Sequence, residues 1–249
     1  MKPSFAGMTA LALGTLSFLA SQSARAEADA SAQITFTSLT ISLSSGTVQP
    51  ETASTGTWSS QVQMNGQPVA NSSMLNASSY CTIGSVAADP YTLNFFGTAN
   101  AAVDIPGNII ATGNGNGQAN VFGSFEITGG TGPVNATFQV AYNGTQSVFT
   151  DNFGQSASSQ TTLSLNVDGN SVLSHNRTLS IGTSQSETQP FNTSDQNTVS
   201  LNFNQVYDFT LSDTAYVMAV NVPEPTTSAL VLAGLAGLGL RRVLRRIIS

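Results

Sequence analysis

The sequence predicts an all-β protein, an antiparallel β-sandwich of jelly-roll-like form built from residues 27–221. Apolar and polar residues alternate with a period of two through most of this region, the spacing of a strand with one buried face. Dipeptides such as Asn-Gly and Asp-Gly, which favour tight turns, separate the alternating runs. No run keeps the i, i+3, i+4 spacing of a helix. About nine to eleven strands are expected, a number that favours two packed sheets.

The first predicted strand changes face partway along its length. Ile34 and Phe36 share one face, whereas Leu39 and Ile41 share the other. A β-bulge near Thr37 would produce this shift, because one extra residue reverses the alternation. The further alternating runs are Trp58 to Met64, Tyr91 to Phe95, Val121 to Ile127, Val134 to Tyr142, Leu163 to Val167 and Tyr216 to Val222.

Three turn dipeptides follow such runs. Asn143-Gly144 predicts a hairpin into Thr145–Phe149, and Asp168-Gly169 predicts a second hairpin that returns through Val172 and Leu173. Asn65-Gly66 is a third turn signal of the same kind.

Two further segments are interpreted without a turn dipeptide. Gly113 to Gly117 alternates glycine with asparagine and is expected to be a flexible loop. Residues 199–211 carry apolar side chains on one face, which predicts a single strand with a bend at Gln205-Val206.

Residues 1–26 have the features of a secretory signal peptide with a short helix. Lys2 gives the positive start, Ala10 to Ala20 is apolar, and Ala24 and Ala26 form an A-x-A cleavage site. The exported chain is therefore expected to begin near Glu27.

Residues 222–249 form a second targeting segment. Val222, Pro223, Glu224 and Pro225 precede the apolar run Ala229 to Leu240. Four arginines then follow at Arg241, Arg242, Arg245 and Arg246. With Thr226 to Ser228 included, the stretch after Pro225 is 15 residues, or roughly 22 Å as a helix, so it spans a 30 Å hydrocarbon core only if the arginines reach the headgroups. The segment predicts a C-terminal transmembrane helix with its arginines inside and the preceding body outside.

These three parts, in this order, resemble the PEP-CTERM sorting signal of Gram-negative bacteria. The resemblance implies that Pro223, Glu224 and Pro225 are recognised by an exosortase, a membrane cysteine protease-transpeptidase. It also implies a precursor held in the inner membrane, a mature form at the cell surface or outside the cell, and an association with exopolysaccharide, biofilm or floc. The alternative is an ordinary single-pass anchor after a proline-containing linker.

The charge of the exported body excludes one class of partner. From residue 27 to residue 222, twelve acidic residues accompany one basic residue, Arg177, which gives a net charge near −11. Nucleic acid is not expected as a partner, because phosphate binding needs clustered Lys and Arg. Cys81 is the only cysteine, so it forms no intramolecular disulfide; a buried apolar role and an intermolecular bridge are both open.

Residues for catalysis are few, and no enzyme is expected. His175 is the only histidine, no G-x-S-x-G motif accompanies it, and Lys2 is the only lysine. An edge position for His175, on one strand face with Arg177 and Leu179, is the preferred interpretation. A glycoside-active enzyme is the least favoured alternative, because the body's later glutamates, Glu51, Glu126 and Glu187, lie in no distinctive context.

No cofactor or metal is expected. One His and one Cys cannot supply a usual zinc site. A Ca²⁺ site would need the oxygen ligands around Asp151, Asp168 or Asp195 to Asn197, and solvated turn residues are the preferred interpretation of all three.

Two functions therefore follow from the sequence. The first is a non-enzymatic surface or matrix protein that associates with extracellular polysaccharide. Self-association is a further expectation, because strand edges without lysine lack a common guard against pairing. The second is a carbohydrate-binding module, in which Trp58 is the aromatic residue placed to stack on a sugar.

Overall fold

A computed structural model describes residues 27–68, 75–87, 91–105, 110–151, 154–182 and 184–222. The side chains of residues 50–55, 68, 75–87 and 91–96 are outside this description. The predicted signal helix at residues 1–26 and the predicted transmembrane helix after Val222 also lie outside it. In the part of the chain that is described, no helix has the length and hydropathy needed to cross a membrane.

The described residues form antiparallel strands in two sheets, which confirms the predicted all-β sandwich. The strands are β1 (Ala28–Leu43), β2 (Thr47–Met64), β3 (Gln67–Pro68), β4 (Leu75–Ala87), β5 (Tyr91–Ile105), β6 (Ala111–Thr128), β7 (Pro133–Thr150), β8 (Ser156–Val167), β9 (Asn170–Ile181), β10 (Gln185–Asn202) and β11 (Val206–Asn221). Sheet A has the order β10-β7-β1-β5-β4, and sheet B has the order β3-β2-β6-β11-β8-β9. Apart from the hairpins β2–β3, β4–β5 and β8–β9, each described connection crosses between the sheets, as connections in a jelly roll commonly do.

The predicted bulge in β1 is confirmed. The pairing of β1 with β5 shifts between Phe36 and Leu39, and its pairing with β7 shifts between Phe36 and Ser38. The extra residue turns Ile34, Phe36, Leu39 and Ile41 into the same core. The shift in alternation is therefore a reliable record of the backbone irregularity.

Two of the turn signals are also confirmed. Asp168 and Gly169 have φ angles of 48° and 74°, and they join β8 to β9. Asn65 and Gly66, at 52° and 77°, join β2 to β3. Positive φ at both central residues is the requirement of a type I′ turn, and Asn-Gly and Asp-Gly meet it with little strain.

The hairpin predicted at Asn143-Gly144 is wrong, because both residues lie inside the continuous strand β7. Gly144 pairs with Ile34 on one side and Phe191 on the other. A Cβ on Gly144 would lie 2.1 Å from the Gln33 carbonyl oxygen and 2.4 Å from the Phe191 ring. Gly144 is therefore needed for close cross-strand packing rather than for a turn.

The flexible loop predicted at Gly113 to Gly117 is also wrong, because these residues belong to β6 in the middle of sheet B. Gly113, Gly115 and Gly117 are buried, whereas Asn114 and Asn116 are half-buried on the other face. The glycine-asparagine alternation is thus a strand pattern whose buried members have no side chain. The period-two alternation in residues 113–117 was evidence for a strand, but the high glycine content favoured the interpretation as a loop.

The single bent strand predicted over residues 199–211 is wrong as well. β10 ends at Asn202 in sheet A, and β11 begins at Val206 in sheet B. The intervening Asn204 has a φ of 55°, and the Phe203 ring packs where Cβ atoms on Gly46 and Gly130 would lie. The apolar alternation continues across the turn because both strands face the same core.

The core divides along the strands into two halves of different composition. The aromatic half contains the last residues of β10 and the first residues of β11. Its central ring is Phe125, whose centroid lies 5.6 Å from that of Tyr207, 5.9 Å from that of Phe138 and 6.4 Å from that of Phe209. The terminal half contains the start of β1 and the end of β11. Its inner face is lined mainly by small residues, namely Ala28, Ala30, Ala101, Ala111, Gly113, Gly115, Ala157, Ala215 and Ala219.

Candidate functional site

The last strand delivers the chain directly to the predicted sorting segment. β11 ends at Asn221, whose side chain is fully buried, and the next residue, Val222, is 41% exposed. Pro223, Glu224, Pro225 and the four arginines lie outside the described residues, as do Ala24 and Ala26. A single described residue therefore separates the packed sandwich from the Pro-Glu-Pro motif.

A hydrogen-bonded chain links this exit to the predicted start of the exported protein. The Glu27 backbone N–H donates to Asp151 Oδ1 at 2.6 Å, and the Asp151 N–H donates to Gln155 Oε1 at 3.0 Å. Gln155 Nε2 then donates to Asn221 Oδ1 at 2.8 Å, and both amides are buried. We call these four residues the terminal link. The described residues nearest to the two predicted processing points, Glu27 and Asn221 with Val222, therefore lie at the same end of the sandwich.

Three carboxylates crowd together beside the terminal link. Asp29 pairs with Asp104 across β1 and β5, and oxygens of these two residues and of Glu27 all lie within 4.8 Å of one another. Burial, followed by repulsion from Asp104 and Glu27, raises the pKa of Asp29 from 3.8 to about 7. This acidic cluster could not be predicted from the sequence, because only the strand register brings residues 29 and 104 together.

The outer face of sheet B is broad, polar and uncharged over most of its length. Along β6, Asn114, Asn116, Gln118 and Asn120 are half-buried, with Gln118 Nε2 donating to Asn120 Oδ1 at 3.1 Å. We call this surface the amide face. Its members on the neighbouring strands are Thr57, Gln61, Gln63, Gln160, Thr162, Asn176, Ser212 and Thr214.

Two exposed rings lie on the amide face. Phe122 is 38% exposed and pairs with Thr210, whereas Tyr216 is 37% exposed and pairs with Asn116 and Gln160. Thr210 and Tyr216 are six positions apart on β11, so the two rings are separated by roughly 20 Å along the strands. The Tyr216 hydroxyl donates to Asn114 Oδ1 at 3.3 Å. Amides and ring faces together supply the hydrogen bonds and apolar contacts that a sugar chain requires.

Trp58, the ring selected from the sequence, is 63% exposed on β2. Trp58 pairs with the buried Ala119, so its side chain lies on the inner face of sheet B. It remains exposed to solvent at this position. No aromatic pair among the described side chains includes Trp58. An exposed ring could contact a sugar. Among the described side chains, however, no second ring lies beside Trp58 to form a binding groove with it.

His175 lies on the edge strand β9, with Arg177 and Leu179 on the same face, as predicted. Its Nδ1 is 2.9 Å from Asp195 Oδ2, which also accepts a 2.8 Å bond from the Tyr142 hydroxyl. Burial and Asp195 raise the pKa of Tyr142. His175, Asp195 and Tyr142 therefore connect the edge strand β9 of sheet B to β10 and β7 of sheet A. These contacts close the side of the sandwich where the two sheet edges meet.

Two of the oxygen-rich segments weighed for Ca²⁺ have protein partners. Asp168 lies in the β8–β9 turn, and its Oδ1 accepts the N–H of Asp208 on β11 at 2.9 Å. Asn197 accepts the Thr198 N–H and donates to the Val172 carbonyl. The third, at Asp151, belongs to the terminal link. Glu126 and Glu187, considered for glycoside hydrolysis, lie in different sheets.

One carboxyl group among the described side chains is buried in the middle of the core. Asp213 on β11 is fully buried, and its Oδ1 accepts the Ala119 N–H at 3.2 Å. Burial raises the pKa of Asp213 well above 3.8, and the backbone donors of Ala119, Ala99 and Phe36 oppose this in part. The alternating pattern did not predict a carboxyl at this core position.

Comparison with known proteins identifies one segment. Residues 221–246 match the PEP-CTERM protein-sorting motif, which confirms the resemblance drawn from the sequence. The match indicates export as a membrane-anchored precursor that an exosortase processes. No curated protein and no solved structure matches the chain.

Proposed function

We propose that this exported, exosortase-processed surface protein is non-enzymatic and associates with extracellular polysaccharide, as part of a biofilm or exopolysaccharide matrix, through the amide face. The observation that carries the proposal is the amide face itself: rows of amides and hydroxyls, with the rings of Tyr216 and Phe122 exposed among them. Such a surface offers donors and acceptors to sugar hydroxyls without the charge that would select phosphate or basic partners.

The side-chain network supports a preformed surface. Gln118, Asn120 and Thr57 are joined by hydrogen bonds across β6 and β2, and Gln160 Nε2 donates to Asn176 Oδ1 at 3.1 Å across β8 and β9. Amides held in this way lose little conformational entropy on binding. Because the strands of sheet B are paired with one another, the two rings keep a fixed separation.

The experiment is retention of the purified protein on the exopolysaccharide of its own cell. We expect the double variant Phe122→Ala/Tyr216→Ala to bind at least tenfold more weakly, since stacking contacts are worth about 0.5–1.5 kcal/mol each beyond area burial. Ile110→Ala is the control, because Ile110 is a 75% exposed apolar residue that has no aromatic ring and lies outside the strands of sheet B. Equal binding by wild type and double variant would refute the amide face as the contact surface.

The second candidate, a carbohydrate-binding module centred on Trp58, is favoured by the exposure of that ring. It predicts that Trp58→Ala abolishes binding while Phe122→Ala/Tyr216→Ala leaves it intact. The same retention assay therefore separates the two surfaces.

A further inference from the structure

The edge of sheet A at β10 is long and unbroken. β10 spans 18 residues and pairs with β7 from Gln185 to Asn202 without a register shift. It is the last strand of its sheet, and no strand in the described ranges pairs with its other side. Unpaired N–H and C=O groups on such an edge are a template for another strand.

The three other sheet edges are interrupted. The ladder of β4 with β5 shifts between Ile83 and Val86, and the ladder of β9 with β8 shifts between Leu165 and Asn166. β2 shifts twice, around Thr52, and is partly covered by β3. Bulges of this kind twist an edge away from neighbours, and β10 is the described edge without one; Pro190 is the one edge-blunting residue on its free side.

The direction of the β10 backbone groups follows from three residues. Pro190 has no N–H, and proline in a strand is tolerated where that group would face solvent. The Thr198 N–H donates to Asn197 Oδ1, and the Asn202 N–H donates to the Tyr207 hydroxyl, instead of to β7. Because the direction alternates and the register is unbroken, the even-numbered residues of β10 direct their backbone groups to the free side. Between Pro190 and Thr198, the outward N–H groups are those of Asn192, Ser194 and Gln196.

The residues with free backbone groups carry no charge. Their side chains lie on the outer face of sheet A, opposite the face on which Asp195 contacts Tyr142 and His175. The even-numbered residues from 186 to 196 are Ser186, Thr188, Pro190, Asn192, Ser194 and Gln196. A second strand can therefore approach this edge without meeting a like charge on that face.

We propose that β10 pairs antiparallel with β10 of a second copy of this chain, so that the 5-stranded sheets of two copies become one continuous sheet. A two-fold axis near Ser194 brings the outward N–H and C=O groups of Asn192, Ser194 and Gln196 opposite the same groups of the second copy, and none of these three side chains is charged. The interaction does not depend on the proposed polysaccharide contact, which lies on sheet B.

The first test is a disulfide scan of purified protein with Cys81 replaced by serine. Near a two-fold axis an outward residue meets its own copy at a distance a disulfide can bridge. We expect at least one of Asn192→Cys, Ser194→Cys and Gln196→Cys to form a disulfide dimer under mild oxidation, at least tenfold more than Thr178→Cys on the exposed edge strand β9. Equal cross-linking at Thr178→Cys would overturn the assignment.

The second test blocks the edge. Ser194→Pro removes an outward N–H, and Ser194→Lys adds a charge without changing the backbone. Both are expected to sediment as monomers with unchanged thermal midpoints, whereas wild type sediments as a dimer. Thr193→Pro is the matched control and should destabilise the fold, because its N–H bonds to β7. A monomeric wild type at the highest soluble concentration, or a dimer that survives Ser194→Lys, would overturn the proposal.

Discussion

The two halves of the core fill the same space between the sheets in different ways. In the aromatic half, rings from both sheets contact one another around Phe125. In the terminal half, small side chains leave less apolar surface to bury, and buried polar groups occur beside them. Gln146 donates to the Ser159 and Arg177 carbonyls, and Gln155 bonds Asn221. We infer that apolar burial stabilises the first half and hydrogen bonds contribute more to the second.

The largest effect expected from this difference is that of Phe125→Ala. Removing a fully buried ring that contacts three others should lower the free energy of unfolding by about 3–5 kcal/mol. Val217→Ala, at an equally buried position of the terminal half, should cost about 1–2 kcal/mol. Urea unfolding of both variants measures the difference. Similar losses would show that the two halves do not differ in this respect.

The hydrogen bonds of the terminal half are tested by Asn221→Ala. The variant leaves the buried Gln155 amide without this partner, and an unsatisfied buried group costs about 1–3 kcal/mol. Asn170→Ala, which removes an exposed bond to the Asp168 carbonyl, is the control and should change stability by less than about 0.5 kcal/mol. The comparison fails if the two variants unfold at the same urea concentration.

The smallest effect concerns the acidic cluster of the terminal half. Because the folded pKa of Asp29 is about 7, above its ordinary 3.8, the folded state binds the proton more tightly and stability falls as pH rises from about 4 to about 7. Taken in full, a pKa difference of this size corresponds to about 4 kcal/mol, and solvent screening of the half-buried Asp29 reduces the gain to roughly 1 kcal/mol. Asp29→Asn should therefore raise the thermal midpoint at pH 8 by about 2–4 °C and leave it unchanged below pH 4.

Asp208→Asn is the control for this pH dependence, since Asp208 is an exposed carboxyl on β11. Thermal scans across pH should show no comparable gain for it. A gain for Asp29→Asn that is the same at pH 4 and pH 8 would rule out the titration of Asp29 as its cause.

The fold class was predictable because a period of two persists along the body, and even the bulge in β1 left a visible change of register. The errors share a cause. Asn143-Gly144 and Gly113 to Gly117 look like turns by composition, yet these glycines serve close packing inside strands, which depends on partners far along the chain. Which sheet a strand joins also depends on long-range pairing. The sequence analysis therefore did not predict that the chain passes from sheet A to sheet B at Phe203-Asn204.

The candidate site was predictable only where it is local in sequence. The sorting motif is contiguous, and the sequence alone identified it. The acidic cluster and the amide face combine residues from several strands, and pairing registers create them. Trp58 was correctly placed in an alternating strand, but Tyr216 and Phe122 gained significance only when their strands were seen side by side.

Because β11 ends at Asn221, few residues separate the folded body from the predicted membrane segment. Only Val222 to Pro225 separate Asn221 from the predicted membrane segment that starts at Thr226, at most about 14 Å at full extension. For a precursor anchored through that segment, we expect the end of the sandwich that contains Asn221 to face the bilayer.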